Sequence, residues 1–265
     1  MPDFSDIYAR DDAIFEVLQE IRIPDALKCF KKNNFPNTGQ VMTTFVTKIN
    51  FIKTAIFSLC ESDNLYATNI VFRSLIEHFL KAQYIFMKWA EDKNDNVGEN
   101  YNKWYQASEL YDYAKSWEAV SKLVNNCKSN VVIEEELYEF WPDLKEKNIK
   151  DIKRVADQFK YRSIIKYIHE KVPNHSKSIE ESFLLKIIPR YAELSGFVHG
   201  GPSADKEIMS LIDNHERENK LIEIADLTVD MTASINRYLI IMLMNIDRSY
   251  EKILFKLRKY YGNVG

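Results

Sequence analysis

The segment Glu218–Tyr260 runs for roughly forty residues without a glycine or a proline, which is typical of a long uninterrupted helix. Its apolar residues recur at helical spacing. They are Leu221, Ile224, Leu227, Met231, Ile235, Leu239, Met242, Ile246, Ile253 and Leu257. This stripe predicts a C-terminal helix that organises the elements around it. In the whole chain, seven glycines and seven prolines among 265 residues are too few for a many-stranded fold.

The rest of the chain shows the same periodicity in shorter segments. The predicted helices are Asp11 to about Lys32, broken or kinked at Pro24, then Gln40–Cys60, Leu65–Glu91, Glu99–Asn125, Asp151–Lys171 and Ile179–His199 with a kink at Pro189. Asp63 or Asn64 is the expected N-cap of the helix that begins at Leu65. We therefore predict an all-α fold, a bundle of long antiparallel helices that ends in the long C-terminal helix.

The connecting segments determine the expected domain organisation. Turn-forming residues predict a loop at Asn33–Gly39, so residues 1–38 form an N-terminal helical segment and residues 39–265 form the bundle. The acidic segment Lys128–Asp151 has no regular periodicity, and we expect an irregular excursion there rather than packed structure. Ala204–Asn214 is expected to be a short helix or a loop.

Charge and cysteine usage narrow the class of protein. The net charge of −3 and the mixing of both signs exclude a strongly basic surface over the whole chain, and the basic run Arg248–Lys259 favours a solvated helix face over an RNA-contacting stripe. The three cysteines, Cys29, Cys60 and Cys127, are widely spaced and form no CxxC pair. Their odd number, without a signal peptide, favours a reducing interior and no disulfide framework. The N-terminus has no apolar signal region, and the longest apolar run, Tyr238–Met244, is too short to span a bilayer. We expect a cytoplasmic protein without a membrane partner.

Polar side chains are concentrated at the end of the predicted helix Ile179–His199. Tyr191, Ser195 and His199 recur every four residues, so a helix stacks them along one face. Gly200 and the glycine after it predict that the helix ends directly after the histidine, where the carbonyl end of the helix favours a charged ring. The stripe is a candidate site, and the alternative is an ordinary helix end.

A second polar group lies within the predicted helix Leu65–Glu91. Arg73 and Glu77 are four residues apart and flank the apolar stripe, whereas His78 faces away on a helical projection. The two charged residues predict either a structural ion pair or an anchor for an anionic ligand. Arg73 and His78 also match the R-x4-H pattern of HEPN-type ribonucleases, but on a helix they diverge by about 140° and cannot both reach one phosphate.

Two motifs together carry a family resemblance. The R-x3-E motif at Arg73 and the later Y-x2-L-S-x2-V-H motif that begins at Tyr191 resemble a family of helical bacterial proteins, which is similar to the HEPN-like superfamily and to abortive-infection proteins. The resemblance spans about Gln40 to Lys259 and implies a HEPN-like bundle that forms a homodimer. Many HEPN proteins are metal-independent ribonucleases of toxin and antiphage systems, and others bind nucleotides or proteins.

The chain departs from the nuclease pattern at its late motif. The nearest arginine before His199 is Arg190, nine residues upstream and beyond the usual spacer. The resemblance therefore implies that Arg73 supplies the cation from another helix, which requires the two helices to pack face to face.

The implied site contains five residues. His199 is the base or acid, Arg73 anchors the phosphate, and Glu77 orients the arginine. Ser195 is expected to be a hydrogen-bond partner of the histidine ring, with Tyr191 nearby. These roles follow from the resemblance and from the polar stripe together.

Two functions are open at this point. The first is a bacterial defence or toxin-type effector that acts on RNA as a metal-independent ribonuclease, with a protein partner or antitoxin as a further expected partner. The alternative is a non-catalytic helical interaction or nucleotide-binding module, in which Arg73, Glu77 and His199 form a structural network. No cofactor or metal is expected, since the sequence has no phosphate-binding glycine motif, no paired Glu-x-x-His motif and no metal spacing around His169 and His175.

Overall fold

The computed structural model of the protein describes residues 2–125, 138–139, 141–171, 179–199, 202, 205 and 214–260. Within these ranges the protein is all-α and has no strand, which confirms the predicted fold class. The α-helices are α1 (Ser5–Leu18), α2 (Ile23–Lys32), α3 (Pro36–Glu61), α4 (Leu65–Asp92), α5 (Asn96–Glu99), α6 (Gln106–Asn125), α7 (Ile149–Ala156), α8 (Tyr161–Lys171), α9 (Ile179–Val198), α10 (Asn214–Ile246) and α11 (Glu251–Arg258). A π-helix (Asn100–Tyr105) joins α5 to α6, and 3₁₀ helices occupy Pro142–Glu146, Asp157–Phe159 and Arg248–Tyr250.

The centre of the bundle is formed by α3, α4 and α10, which pack against one another. On α4 the side chains of Phe72, Ile76 and Phe79 are almost completely buried, as their helical spacing predicts. Asn64 caps this helix, because its side-chain oxygen accepts a hydrogen bond of 3.1 Å from the backbone N–H of Ala67. The capped and tightly packed α4 is the rigid element that carries the polar residues of the site.

Two prolines begin helices where the sequence predicts a kink or a loop. The helix that we predict over Asp11–Lys32 is broken, but before Pro24: it is two helices separated by a turn at residues 19–22, and Pro24 lies in the first turn of α2. Pro36 likewise lies in the first turn of α3, inside the predicted loop Asn33–Gly39. Proline is well tolerated at this position, since the first N–H groups of a helix have no intrahelical partner. The expected boundary between residues 38 and 39 therefore falls inside α3.

The predicted C-terminal helix is interrupted at Asp247, and the prediction of one continuous helix over Glu218–Tyr260 is wrong. Asp247 has an extended backbone (φ −139°, ψ 111°), and its carboxylate accepts a hydrogen bond of 2.9 Å from the backbone N–H of Ser249. Aspartate satisfies backbone donors locally in this way and so competes with a continuing helix. The chain turns through a 3₁₀ segment, and α11 packs back on α10.

Among the described residues, one helix is long and apolar enough to cross a membrane by length and composition, the segment His215–Ile246 of α10. Of its most apolar window, 67% is buried inside the bundle, as expected of a core helix. The apolar run Tyr238–Met244 lies within this segment.

In the described part of the segment Lys128–Asp151, where we expect an irregular excursion, Pro142–Glu146 form a 3₁₀ helix and the start of α7 follows. Leu144 is fully buried and forms a small apolar cluster with Ala107 of α6 and Ile152 of α7. Helix α7 begins at Ile149, because the side chain of Asn148 caps it by accepting a 3.0 Å hydrogen bond from the backbone N–H of Asp151. Residues 128–137 and 140 lie outside the described residues.

Two other segments that we predict to be single helices each consist of several shorter elements. Glu99–Asn125 consists of the end of α5, the π-helix and α6, and Asp151–Lys171 consists of α7, a 3₁₀ turn and α8. The apolar spacing of both segments fits an α-helix, but local changes of hydrogen bonding shift the register between their halves.

The N-terminus of α3 is held by a carboxylate from the loop before α5. Asp95 accepts hydrogen bonds from the backbone N–H groups of Asn37 (3.0 Å) and Thr38 (2.8 Å), where the positive end of the α3 dipole favours an anion. Gly98 makes this approach possible, since a Cβ atom there would lie 2.2 Å from the backbone nitrogen of Thr38. The contact fixes the π-helix beside α3.

Candidate functional site

Four polar residues form one row along α4, at four-residue intervals: Asn69, Arg73, Glu77 and Lys81. Side chains four residues apart lie on the same face of a helix, so these four form one continuous polar stripe on α4. α9 packs against α4. The predicted face-to-face arrangement of the two motif helices is therefore present.

The side chain of Arg73 extends from α4 to contact two residues of α9. Its Nε donates a 3.1 Å hydrogen bond to the Ser195 hydroxyl, and its Nη2 donates one of 3.0 Å to the Tyr191 hydroxyl. Its Nη1 lies 3.6 Å from a carboxylate oxygen of Glu77, which is an ion pair but longer than a good hydrogen bond. The side chain is 20% exposed, so this guanidinium is held in one orientation at the edge of the interior.

Glu77 is shared by two cations. Its other carboxylate oxygen accepts a 2.9 Å hydrogen bond from Nζ of Lys81, which also donates one of 2.9 Å to the Tyr105 hydroxyl. Burial acts to raise the pKa of Glu77, but the hydrogen bond from Lys81 and the charges of Lys81 and Arg73 together lower it below its ordinary value. Since both basic side chains are charged, the cluster has one positive charge in excess.

Lys81 is the most deeply buried charged group of this cluster, with its side chain 11% exposed. Burial acts to lower its pKa, but the hydrogen bonds with Tyr105 and Glu77 outweigh this effect and raise the pKa above the ordinary range. The ammonium group therefore stays charged, and it joins the site on α4 to the π-helix.

Tyr191 is clamped between two planar groups. Its ring stacks on Tyr161 of α8 with centroids 4.0 Å apart, and the guanidinium carbon of Arg73 lies 4.7 Å from its ring centre. The Tyr161 hydroxyl in turn donates a 3.0 Å hydrogen bond to the carbonyl of Ile188. Burial raises the pKa of Tyr191, and the charge of Glu77 raises it further, so the phenol stays protonated.

Ser195 has a different partner from the one predicted. Its hydroxyl accepts the hydrogen bond from Arg73 and donates one of 2.9 Å to the carbonyl of Tyr191, so it orients the arginine. Among the described contacts, its link to His199 is between backbone atoms only, from the histidine N–H to the Ser195 carbonyl at 3.3 Å.

His199 is exposed in the turn that follows α9, as the predicted helix end requires. It lies one turn beyond Ser195, about 6 Å along the helix axis, and none of the described contacts of Arg73 or Glu77 involves its ring. The predicted glycine stop after it and most of Ala204–Asn214 lie outside the described residues. The structure thus brings four of the five predicted residues together and places the fifth at the open end of the same stripe.

His78 belongs to another face of α4, as the helical projection predicts. Its Nδ1 lies 2.7 Å from the carbonyl of Ser74, and its ring packs edge-on against Phe45 of α3. Burial lowers the pKa of His78 below its ordinary value. The R-x4-H pair therefore does not form one site, because Arg73 faces α9 and His78 faces α3.

Sequence reasoning missed Lys81, Tyr105 and Tyr161. The four-residue spacing from Glu77 to Lys81 is a signal that could have identified the lysine. Tyr105 lies at the end of a π-helix, which no apolar periodicity predicts, and Tyr161 comes from a helix distant in sequence.

Among the described residues, no group of three or more His, Cys, Asp or Glu side chains could hold a metal ion. The model of a protein family described as a family of unknown function, DUF5677, matches residues 40–219, which is more than half of the chain and includes both motifs. No curated protein and no solved structure matches the chain.

Proposed function

The chain belongs to the family of unknown function DUF5677, and we propose that it acts on RNA as a metal-independent ribonuclease in a bacterial defence or toxin-type system. In this proposal the cluster around Arg73 holds a phosphate of the RNA backbone between α4 and α9. His199, at the open end of the stripe, exchanges the proton.

The orientation of Arg73 is the observation that supports this proposal most strongly. Ser195 and Tyr191 fix its Nε and Nη2, while its Nη1 has only a 3.6 Å contact with Glu77. A guanidinium has five N–H donors in a planar fork that matches the oxygens of a phosphate. The excess positive charge of Arg73, Glu77 and Lys81 favours an anion at this position.

The proposed reaction needs two proton carriers and a cation. The 2′-hydroxyl oxygen attacks the adjacent phosphorus while the 5′ oxygen of the next nucleotide leaves, which gives a 2′,3′-cyclic phosphate and a 5′-hydroxyl. His199 takes the proton of the 2′-hydroxyl, and a water molecule supplies one to the leaving oxygen, while the buried Tyr191 holds Arg73 in place. Arg73 stabilises the charge that develops on the phosphate.

A second function is favoured by the mutual hydrogen bonding within the cluster. Glu77 pairs with both Arg73 and Lys81, and Tyr105 accepts a further hydrogen bond from Lys81. Polar networks of this kind also fix the register of two packed helices. In this alternative the protein binds a nucleotide or a protein partner without catalysis, and the network is structural.

Cleavage of a labelled single-stranded RNA in excess chelator tests the proposal. We expect the wild-type protein to cleave the RNA and His199→Ala to cleave it at least about 100-fold more slowly. The melting temperature should be unchanged, since His199 is exposed. His169→Ala is the matched control, because this histidine is also exposed but lies on α8, away from the site.

The outcomes separate the two functions. RNA binding without cleavage by the wild-type protein favours the non-catalytic module. Cleavage that is equally fast in the His199→Ala and His169→Ala variants contradicts the role of His199. A protein that neither binds nor cleaves RNA contradicts the proposed ribonuclease.

A further inference from the structure

A groove of about 300 Å³ lies between α3 and the π-helix with the first turn of α6. It is separate from the contacts of Arg73 with α9. Tyr105 lines the groove, and its hydroxyl accepts the hydrogen bond from Lys81. The groove and the Arg73 cluster are therefore joined through one tyrosine and one lysine.

The two walls of the groove have matching periodicity. Gln40, Thr44 and Lys48 line one wall at four-residue intervals, so they form one row of α3. Tyr101, Tyr105 and Glu109 line the other wall at the same interval. Two rows of polar side chains thus face the same space.

The floor of the groove is formed by two buried apolar side chains. Val41 and Phe45 are 1% and 2% exposed, and the ring of Phe45 lies 5.4 Å from that of Tyr101. Tyr101 and Tyr105 stack with centroids 5.2 Å apart and an interplanar angle of 16°. They are one π-helical turn apart in Asn100–Tyr105, and such turns are rare and occur frequently at functional sites.

The chemistry of the walls determines the class of ligand. Lys48 and Glu109 both line the groove, so their charges balance and a neutral ligand is favoured. Gln40 and Gln106 offer an amide from each wall, and an amide presents both donors and an acceptor. The volume is at the lower end of the range for small-molecule sites, which suits one planar group with an attached sugar.

We propose that this groove binds a single unstacked nucleobase with its ribose. The base lies with its face against the partly exposed rings of Tyr101 and Tyr105 and its edge toward the glutamine amides, as proteins recognise bases of single-stranded RNA. This inference rests on the proposed action on RNA and names a second contact of the same substrate, one that reads the base and not the phosphate.

Titration calorimetry with the four free nucleosides, adenosine, guanosine, cytidine and uridine, tests this proposal on the full chain. Nucleosides have no phosphate, so their binding reports the groove alone. We expect at least one nucleoside to bind and the double variant Gln40→Ala/Gln106→Ala to weaken it at least about 10-fold. Both glutamines are exposed, so the variant should fold normally.

Two further variants complete the test. Thr44→Trp should abolish nucleoside binding, because the exposed threonine lines the groove and the larger side chain fills it. Asn245→Ala is the matched control, since it removes an exposed amide that does not line the groove. The proposal is overturned if no nucleoside binds, or if the double variant binds as tightly as the control.

The outcome for the groove is distinguishable from that for the Arg73 cluster. Arg73→Ala should leave nucleoside affinity unchanged in the folded protein, because Arg73 does not line the groove. RNA cleavage that depends on His199 without any nucleoside binding overturns the groove and leaves the proposed function standing. Nucleoside binding to a protein that does not cleave RNA supports the groove and contradicts the ribonuclease.

Discussion

Among the described residues, the pair of Asp11 and Lys53 and the cluster around Arg73 both lie partly buried between helices, and they differ in how completely their charges cancel. Asp11 of α1 and Lys53 of α3 form a pair in which both carboxylate oxygens contact Nζ, at 2.7 and 2.6 Å. The two side chains are 13% and 12% exposed. In the cluster on α4, Arg73 and Lys81 share the single carboxylate of Glu77 and use hydroxyl groups as additional partners.

The comparison shows that burial of a charge does not by itself indicate a site. The pair of Asp11 and Lys53 is neutral and joins two helices, which is sufficient reason for its position. The cluster on α4 has one positive charge in excess. The guanidinium of Arg73 is oriented by two hydrogen bonds, but its Nη1 has only a 3.6 Å contact with Glu77. We attribute a structural role to the first cluster and propose a binding role for the second.

The largest effect on stability is expected from Lys53→Met. This change leaves the carboxylate of Asp11 buried without its partner, and breaking such a pair typically costs about 3 to 5 kcal/mol. Chemical denaturation measures the free energy of unfolding. RNA cleavage, measured under conditions where the variant is folded, should equal that of the wild-type protein.

A smaller loss of stability, about 1 to 2 kcal/mol, is expected from Arg73→Met, because Glu77 keeps its hydrogen bond from Lys81. The same variant should lose RNA cleavage almost completely. If Arg73→Met destabilises the protein as much as Lys53→Met and the folded variant still cleaves RNA, the distinction between the two clusters is wrong.

Tyr105→Phe should cost about 1 kcal/mol, since it removes one hydrogen bond of a lysine that retains Glu77. Tyr113→Phe is a suitable control, because that tyrosine is on α6 and is 63% exposed. Equal free energies of unfolding for both variants would show that the π-helix does not contribute to the cluster.

The smallest effect is expected in the pH dependence of stability. The pKa of Glu77 is lower in the folded protein than in the unfolded chain. As the pH falls below the ordinary pKa of a glutamate, the unfolded chain binds more protons than the folded protein, so the free energy of unfolding decreases. Glu77 is 34% exposed, and solvent screening limits the effect to less than about 1 kcal/mol. Glu77→Gln should remove this part of the acid sensitivity in denaturation curves between neutral and acidic pH, and unchanged sensitivity would contradict it.

The helical periodicity of the sequence was sufficient to predict the fold class and the central helices. Leu65–Glu91 was predicted and Leu65–Asp92 is observed, since its apolar stripe and its cap at Asn64 agree. The break at Asp247 was not predictable from apolar spacing, because one local hydrogen bond of the aspartate decides it.

The candidate site was predictable in part for a similar reason. Arg73 and Glu77 share a helix face, and Tyr191 and Ser195 share another, so spacing alone identified both halves. That the halves meet depends on the packing of α4 against α9, which the sequence indicated only through a family resemblance. The roles within the site were less predictable, since Ser195 bonds Arg73 rather than the ring of His199.

The salt dependence of RNA affinity tests most directly whether Arg73 binds a phosphate. For single-stranded RNA, each phosphate contact contributes about 0.7 to the slope of the logarithm of the association constant against the logarithm of the salt concentration. We predict that Arg73→Gln binds more weakly and with a slope smaller by about 0.7 than that of the wild-type protein. An unchanged slope and affinity, in a variant that remains folded, would contradict the binding role of the cluster.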